Sequence, residues 1–165
     1  MHSSGLSRSS PSLSSASSID GGTRYLTVQD IIELHRAVSS VFGGHQAFPG
    51  VIDSQFGLLN AVQRPQSTIL GREAYPSFSD KASVLFFALI QNNPFRAGNR
   101  RVALAALIAF CEVNNRTMDS RVFDEKAAET MVKRASSHQE MGIPPENVFR
   151  DIRELLSRAI SAPSS

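Results

Sequence analysis

The sequence predicts an all-α bundle of about six helices with one short hairpin-like segment. Three observations carry that expectation. Six stretches between about residues 27 and 160 place apolar side chains at helical spacing between capping residues and breakers. One of them, from about Gly98 to Val113, is apolar nearly all round, as the central rod of a bundle must be. A chain of 165 residues with 41% hydrophobic and 19% charged residues has the length and composition of one domain around one core. No internal repeat is visible.

Taken in order, residues 1–22 form a serine-rich leader, 23–160 the domain and 161–165 a tail. Ten of the first eighteen residues are serine and none is acidic. Such a segment buries too little apolar surface to offset its ordering entropy and is expected to be disordered. It lacks the apolar stretch of a secretory signal. A flexible leader, an organelle transit peptide and the export signal of a secreted bacterial effector all fit it. The first helix starts after Thr27, with Asp30 three residues on as a capping-box partner. Val28, Ile31, Ile32, Leu34, His35 and Val38 supply its apolar face, and Gly43-Gly44 stop it.

Residues 45–56 read as a loop, and "GLLNAVQRP" as a short helix ended by Pro65. "QSTILGREAYPSF" has no helical period and carries Gly71 and Pro76, so a loop or short hairpin is expected. Ser79 is the expected cap of "DKASVLFFALIQN", which Pro94 breaks. After the central helix, Asn114-Asn115 make a stop. Asp119 or Ser120 is expected to cap an amphipathic helix running to Ser137. The last helix starts with Pro145 in its first turn.

Composition excludes several functions. The net charge is +2 and the pI about 9.0, a small basic excess rather than a nucleic-acid surface, so no nucleic-acid partner is expected. No window reaches 18 apolar residues, so no membrane span is expected. Cys111 is the single cysteine, which forbids an internal disulfide and suits a reducing, cytoplasmic setting. Within "ALIAFCEV" it reads as a buried, inert thiol.

The chemistry lies in "LIQNNPFRAGNRRVALAALIAF", residues 89–110. A turn feeds a helix start, where unpaired amide N–H groups and the helix dipole favour a phosphate or carboxylate. Gly98 permits close backbone approach, Asn99 can cap the turn or donate an amide hydrogen, and Arg100 and Arg101 can grip oxyanions. Phe95 reads as a loop anchor. A capped helix with solvated arginines fits the same residues equally well.

The run "LIQNNPFRAGNRRVALAALIAFCEVNN" resembles the signature of the Fic/Doc superfamily, and within it the Doc (death-on-curing) toxin branch. That signature reads His-Pro-Phe-x-Asp/Asn-Gly/Ala-Asn-Lys/Arg-Arg, followed by a helix rich in alanine and leucine. "LTVQDIIELHRAVSSVFGG" resembles the first helix of the branch, including Leu34-His35, and the resemblance covers about residues 24–158. It implies a Fic fold, a loop that binds the phosphates of ATP or a related nucleotide, and AMP transfer (AMPylation) or phosphoryl transfer onto a protein hydroxyl. It also implies a bacterial setting, a possible antitoxin protein as partner, and a protein target such as a translation factor.

By position, Gly98 and Asn99 match the phosphate-cradling pair, and Arg100 and Arg101 the basic pair. Phe95 matches the anchor. The segment holding Ile69, Leu70, Gly71 and Tyr75 matches the flap that aligns the target chain.

Two positions depart from the family. Asn93 stands where the general-base histidine belongs, and Ala97 where the metal-holding acid belongs. An amide does not take a proton near neutral pH, and loss of a general base costs about 10²–10⁴-fold in rate. Alanine offers magnesium no oxygen, which leaves the metal to ride on the nucleotide's phosphates. Among substitutes, His35 reads as structural, His45 as a freer loop residue and His138 as exposed near a helix end. Nothing in the sequence places the Asp53 carboxylate at the motif. The expectation is a toxin-family protein with a retained phosphate loop and impaired catalysis, a pseudoenzyme. The alternatives are an active protein-modifying transferase and a secreted Fic-type effector.

Overall fold

The computed structural model describes residues 19–20, 22–42 and 48–163; the leader 1–18, the Gly43-Gly44 stop and His45 lie outside them. The described chain forms β1 (Ile19–Asp20), β2 (Thr23–Arg24), α1 (Val28–Phe42), α2 (Gln55–Gln63), a single 3-10 turn (Arg64–Gln66), β3 (Thr68–Ile69), β4 (Arg72–Glu73), α3 (Phe78–Asn92), α4 (Asn99–Val113), α5 (Glu125–Ser137) and α6 (Pro145–Ala159). It is the expected all-α bundle, with two short antiparallel ladders attached. The ladder Ile19↔Arg24 and Asp20↔Thr23 crosses the boundary drawn at residue 22.

Helices α3 and α4 form the centre. Helix α3 packs on α2, α5 and α6, and α4 packs on α1. Leu85, Phe86 and Leu89 of α3 meet Ala103, Ala106, Leu107 and Phe110 of α4 in one cluster, and α6 adds Val148, Ile152 and Leu156. The alanines at 103 and 106 keep that face of α4 shallow, so neighbouring helices approach closely and the larger side chains fill the gaps. Helix α4 is therefore covered over a broad face by α3 and α1, while Arg101, Ile108 and Glu112 remain exposed along its outer side.

Several element starts differ from the sequence expectation for local reasons. Thr27 and Asp30 close the expected capping box on α1, with Asp30 N–H to Thr27 Oγ1 at 3.1 Å and Thr27 N–H to Asp30 Oδ2 at 2.8 Å. Helix α3 starts two residues earlier than expected. Ser77, not Ser79, forms its capping box with Asp80. Phe78 is thereby drawn into the first turn, where its ring stacks on Phe110 at 4.7 Å. Helix α5 is capped by Asp124, not Asp119 or Ser120. Asp119 instead closes a separate turn, accepting at its carbonyl from Val122 and Phe123. Helix α2 begins at Gln55, because Ser54 Oγ accepts from Gly57 N–H at 2.9 Å.

The segment 66–78 does form a hairpin. β3 and β4 pair Thr68↔Glu73 and Ile69↔Arg72 around Leu70-Gly71, both at positive φ. The base is fastened by Lys81, which is 2% exposed on α3. Its ammonium donates to Glu73 Oε1 at 2.6 Å and to the Tyr75 carbonyl.

Candidate active site

The motif loop spans residues 93–98, between the C-terminus of α3 and the N-terminus of α4. Asn93 ends α3 in the left-handed region at φ 47°, a conformation asparagine tolerates better than most residues. Gly98 is also left-handed at φ 75° and forms the N-cap of α4 without a side-chain bond. The two reversals turn the chain so that α4 presents the amides of Asn99, Arg100 and Arg101 at its open end, where no turn precedes them to supply carbonyls.

Asn99 holds the loop closed. Its Oδ1 accepts from Phe95 N–H at 2.9 Å, and its Nδ2 donates to Phe95 O and to Asn93 Oδ1, each at 2.8 Å. Asn99 thus does both things the sequence left open to it, accepting within the turn and donating its amide hydrogens. The side chain shapes a cradle from behind.

The loop is braced from the other side by residues 51–54. Asp53 and Ser54 donate their amides to Pro94 O at 2.8 and 3.0 Å, and Arg96 N–H donates to Val51 O at 3.0 Å. Ile52 bridges Phe95. The chain thus brings Asp53 to the motif, which the sequence did not indicate. Its Oδ1 is taken by Arg96, at 2.8 Å from Nη2 and 3.2 Å from Nε, and that pairing raises the guanidinium's pKa.

Phe95 is buried as expected for an anchor, and its ring lies flat on His35, centroids 4.0 Å apart and 8° from parallel. His35 is structural, as read from the sequence. His138 differs from its expectation. It is 4% exposed, with Nε2 3.0 Å from Gln91 Oε1 and Nδ1 3.2 Å from Ile143 O. Gln91 in turn donates to Ala135 O at 2.7 Å.

Two cavities open at the loop. One of about 440 Å³ is lined by Asn93 and by residues 96–101, and the second, about 370 Å³ and mostly polar, by Asn93, Asn99, Arg100 and the end of α5. Arg100 lines both and makes no ion pair among the described residues. Arg101 carries its guanidinium 5.6 Å over the Phe42 ring, on the α1 side. The site is therefore cationic and open to solvent, and the amides of residues 99–101 have no partner among the described residues. It can hold an oxyanion.

The two motif positions where the resemblance implies a base and an acid carry no proton acceptor; the carboxylates nearby are Asp53, held by Arg96, and Glu140, which lines the second cavity. Asn93 is an amide engaged with Asn99, and Ala97 presents a methyl. Among the described residues no three histidine, cysteine, aspartate or glutamate side chains gather closely enough to hold a metal ion. The loop residues 93–98 themselves offer a cation no carboxylate.

The structure brings together Asn93, Phe95, Ala97, Gly98, Asn99, Arg100 and Arg101. It does not bring Ile69, Leu70, Gly71 and Tyr75 to the same place. Their hairpin is anchored at the start of α3, and the motif leaves its end, about 22 Å along a 15-residue helix. Neither cavity at the loop is lined by the hairpin. Ile69 and Leu70 are exposed, whereas Tyr75 belongs to the base, its hydroxyl accepting from Arg64 Nη2 at 3.1 Å and its ring edge-on to Phe149.

A family model described as the Fic/DOC family matches residues 25–111, a span that holds the whole motif loop, its brace and the hairpin. The chain belongs to the Fic/DOC family. It is 34% identical over 116 residues to a protein named Toxin Doc from Mycolicibacterium smegmatis, an alignment covering 70% of this chain and 82% of that one. The resemblance to the Doc branch is thereby supported over most of the chain. The family match begins at Tyr25 and ends at Cys111, so α5 and α6 lie beyond it. Among the described residues no helix is long and apolar enough to cross a membrane.

Proposed function

We propose that this Fic/DOC protein holds the phosphates of a nucleotide, ATP or a relative, at its motif loop and has lost efficient transfer chemistry. The observation that carries the reading is the contrast within one loop. The parts that shape an oxyanion cradle persist: Gly98 at φ 75°, the Asn99 staple and Arg100, which makes no ion pair among the described residues. The two positions that do proton and metal work hold Asn93 and Ala97. Phosphoryl and nucleotidyl transfer rest on positioning and charge neutralisation, which the backbone amides and arginines still supply. Magnesium, in this reading, arrives coordinated to the nucleotide. As its relative is named a toxin, the same reading gives the protein an antitoxin-like partner and a protein target as binding partners.

Isothermal titration with ATP, ADP and AMP, with and without magnesium, tests the proposal. Binding of at least one, weakened in Arg101→Ala by about ten-fold or more through loss of a charge-assisted contact, is the expected result. Absence of binding by all three removes it. The second reading, an active transferase working by positioning alone, is favoured by the intact loop geometry. Label passing from ATP to a protein in a cell lysate, and vanishing in Arg101→Ala, would establish it over the first.

A further inference from the structure

We propose that His35 is a positioning residue of the motif loop: its neutral imidazole, wedged between residues 48–54 and the loop, fixes the Ala97 carbonyl and so sets the turn at Gly98. The inference rests on the reading of the loop as a phosphate site and adds the group that gives that site its shape.

The ring is fully buried and contacts three loop positions at once. It stacks on Phe95, its Nε2 lies 2.7 Å from Ala97 O, and a Cβ placed on Gly98 would lie 3.4 Å from the same nitrogen. On the other side, Gly50 N–H points at Nδ1 at 3.0 Å, with Ser39 Oγ at 3.4 Å. The partners assign the tautomer. A carbonyl can only accept, so Nε2 carries the hydrogen; an amide N–H can only donate, so Nδ1 carries the lone pair. The amides that open α4 begin one residue beyond Gly98, so a shift of the Ala97 carbonyl re-aims all of them.

A second proton would go to Nδ1 and set two donors against each other at Gly50. It would also place a charge in a buried site, and burial holds the imidazole's pKa below its usual 6.5, with the Ala97 bond pulling less strongly the other way. The ionisable neighbours on the surrounding elements are Glu33 and Arg36 on α1, Asp53 on the brace, Arg96 on the loop, and Arg100 and Arg101 at the start of α4. None hydrogen-bonds the ring; Glu33 accepts from Gln29, and Asp53 pairs with Arg96. The clamp is therefore closed in the neutral form, and acid releases it.

The test uses the full chain with ¹⁵N-labelled histidine and backbone. The expected result is an Nε2–H tautomer for His35, with the Gly98 and Gly50 amide shifts following the His35 titration curve. In His35→Gln, whose carboxamide still reaches Ala97 O, those shifts stay flat over the same range. ATP is the binding probe. His35→Phe keeps the stack without the hydrogen bonds and is expected to bind about ten-fold more weakly, whereas His35→Gln stays within about three-fold of the parent.

A Gly98 amide that ignores the His35 titration overturns the proposal, as does parental ATP affinity in His35→Phe. If the parent itself binds no ATP, the phosphate reading fails, and the tautomer and the two amide shifts still decide the clamp. Should His35→Phe not fold, the parent and His35→Gln spectra carry the decision.

Discussion

Asn93 takes a left-handed backbone position and gives its side-chain oxygen to Asn99, so the loop accommodates an amide where the resemblance implies a base. If the proposed impairment rests on Asn93 and Ala97, replacing both should bring transfer chemistry back. Asn93→His combined with Ala97→Asp is expected to raise ATP-dependent protein labelling by about 10²-fold or more, the typical worth of a general base. A folded double variant that transfers no label would place the loss elsewhere, at the target-facing surface. His35 supplies a second expectation, in stability. Its pKa is lowered in the folded chain, so the unfolded chain binds the proton more readily. The contribution is complete above pH 6.5 and declines as the pH falls through the lowered value. Urea denaturation should show a drop in stability from pH 7.5 towards pH 5 that His35→Gln lacks. Sequence made His35 legible as structural because it lies on the apolar side of α1. The burial of His138 is hidden from the sequence because its partner, Gln91, is 47 positions away and no local pattern reveals it.

At the level of elements, the cap of α3 shows where local signals compete. Both Ser77 and Ser79 are plausible caps, and the choice falls to Ser77 because Asp80 then stands at the third helical position and answers it. Ser77→Ala should cost about 1 kcal/mol in chemical denaturation. Ser79→Ala, whose hydroxyl caps nothing, should stay within about 0.5 kcal/mol. Equal losses from both would contradict the observed start. The Asp119 expectation failed for the opposite reason: that residue does close a turn, but the turn ends before the helix begins. The burial of Lys81 is legible in the sequence. The residue lies four and eight residues before Leu85 and Leu89, on the same helical face, so the period alone puts a lysine inside. What the sequence does not show is that the buried ammonium holds the hairpin down.

Across the molecule, the bundle follows from sequence because a helix with so broad an apolar face has to be packed against its neighbours. Cys111 reports on that enclosure. Burial pushes its thiol up to about 11, ahead of an opposing pull from Arg116, so at pH 8 the reactive thiolate is scarce. Iodoacetamide should modify the folded chain slowly and the urea-unfolded chain fast; rapid labelling of the native protein would mean that α4 is less enclosed than described. The assembly of the site was legible only in part. The motif is continuous in sequence, but its brace arrives from residues 51–54 and its clamp from α1, long-range pairings that no periodicity announces.

The brace has a consequence for recognition. Because Asp53, Ser54 and Arg96 already tie the loop backbone to residues 51–54, an oxyanion bound as proposed would find its donors standing in place. Complexation then forfeits chiefly the guest's own freedom and that of the arginine side chains, not that of the peptide chain. Association should accordingly leave the far-ultraviolet spectrum unchanged and depend on ionic strength through the guanidinium charges alone.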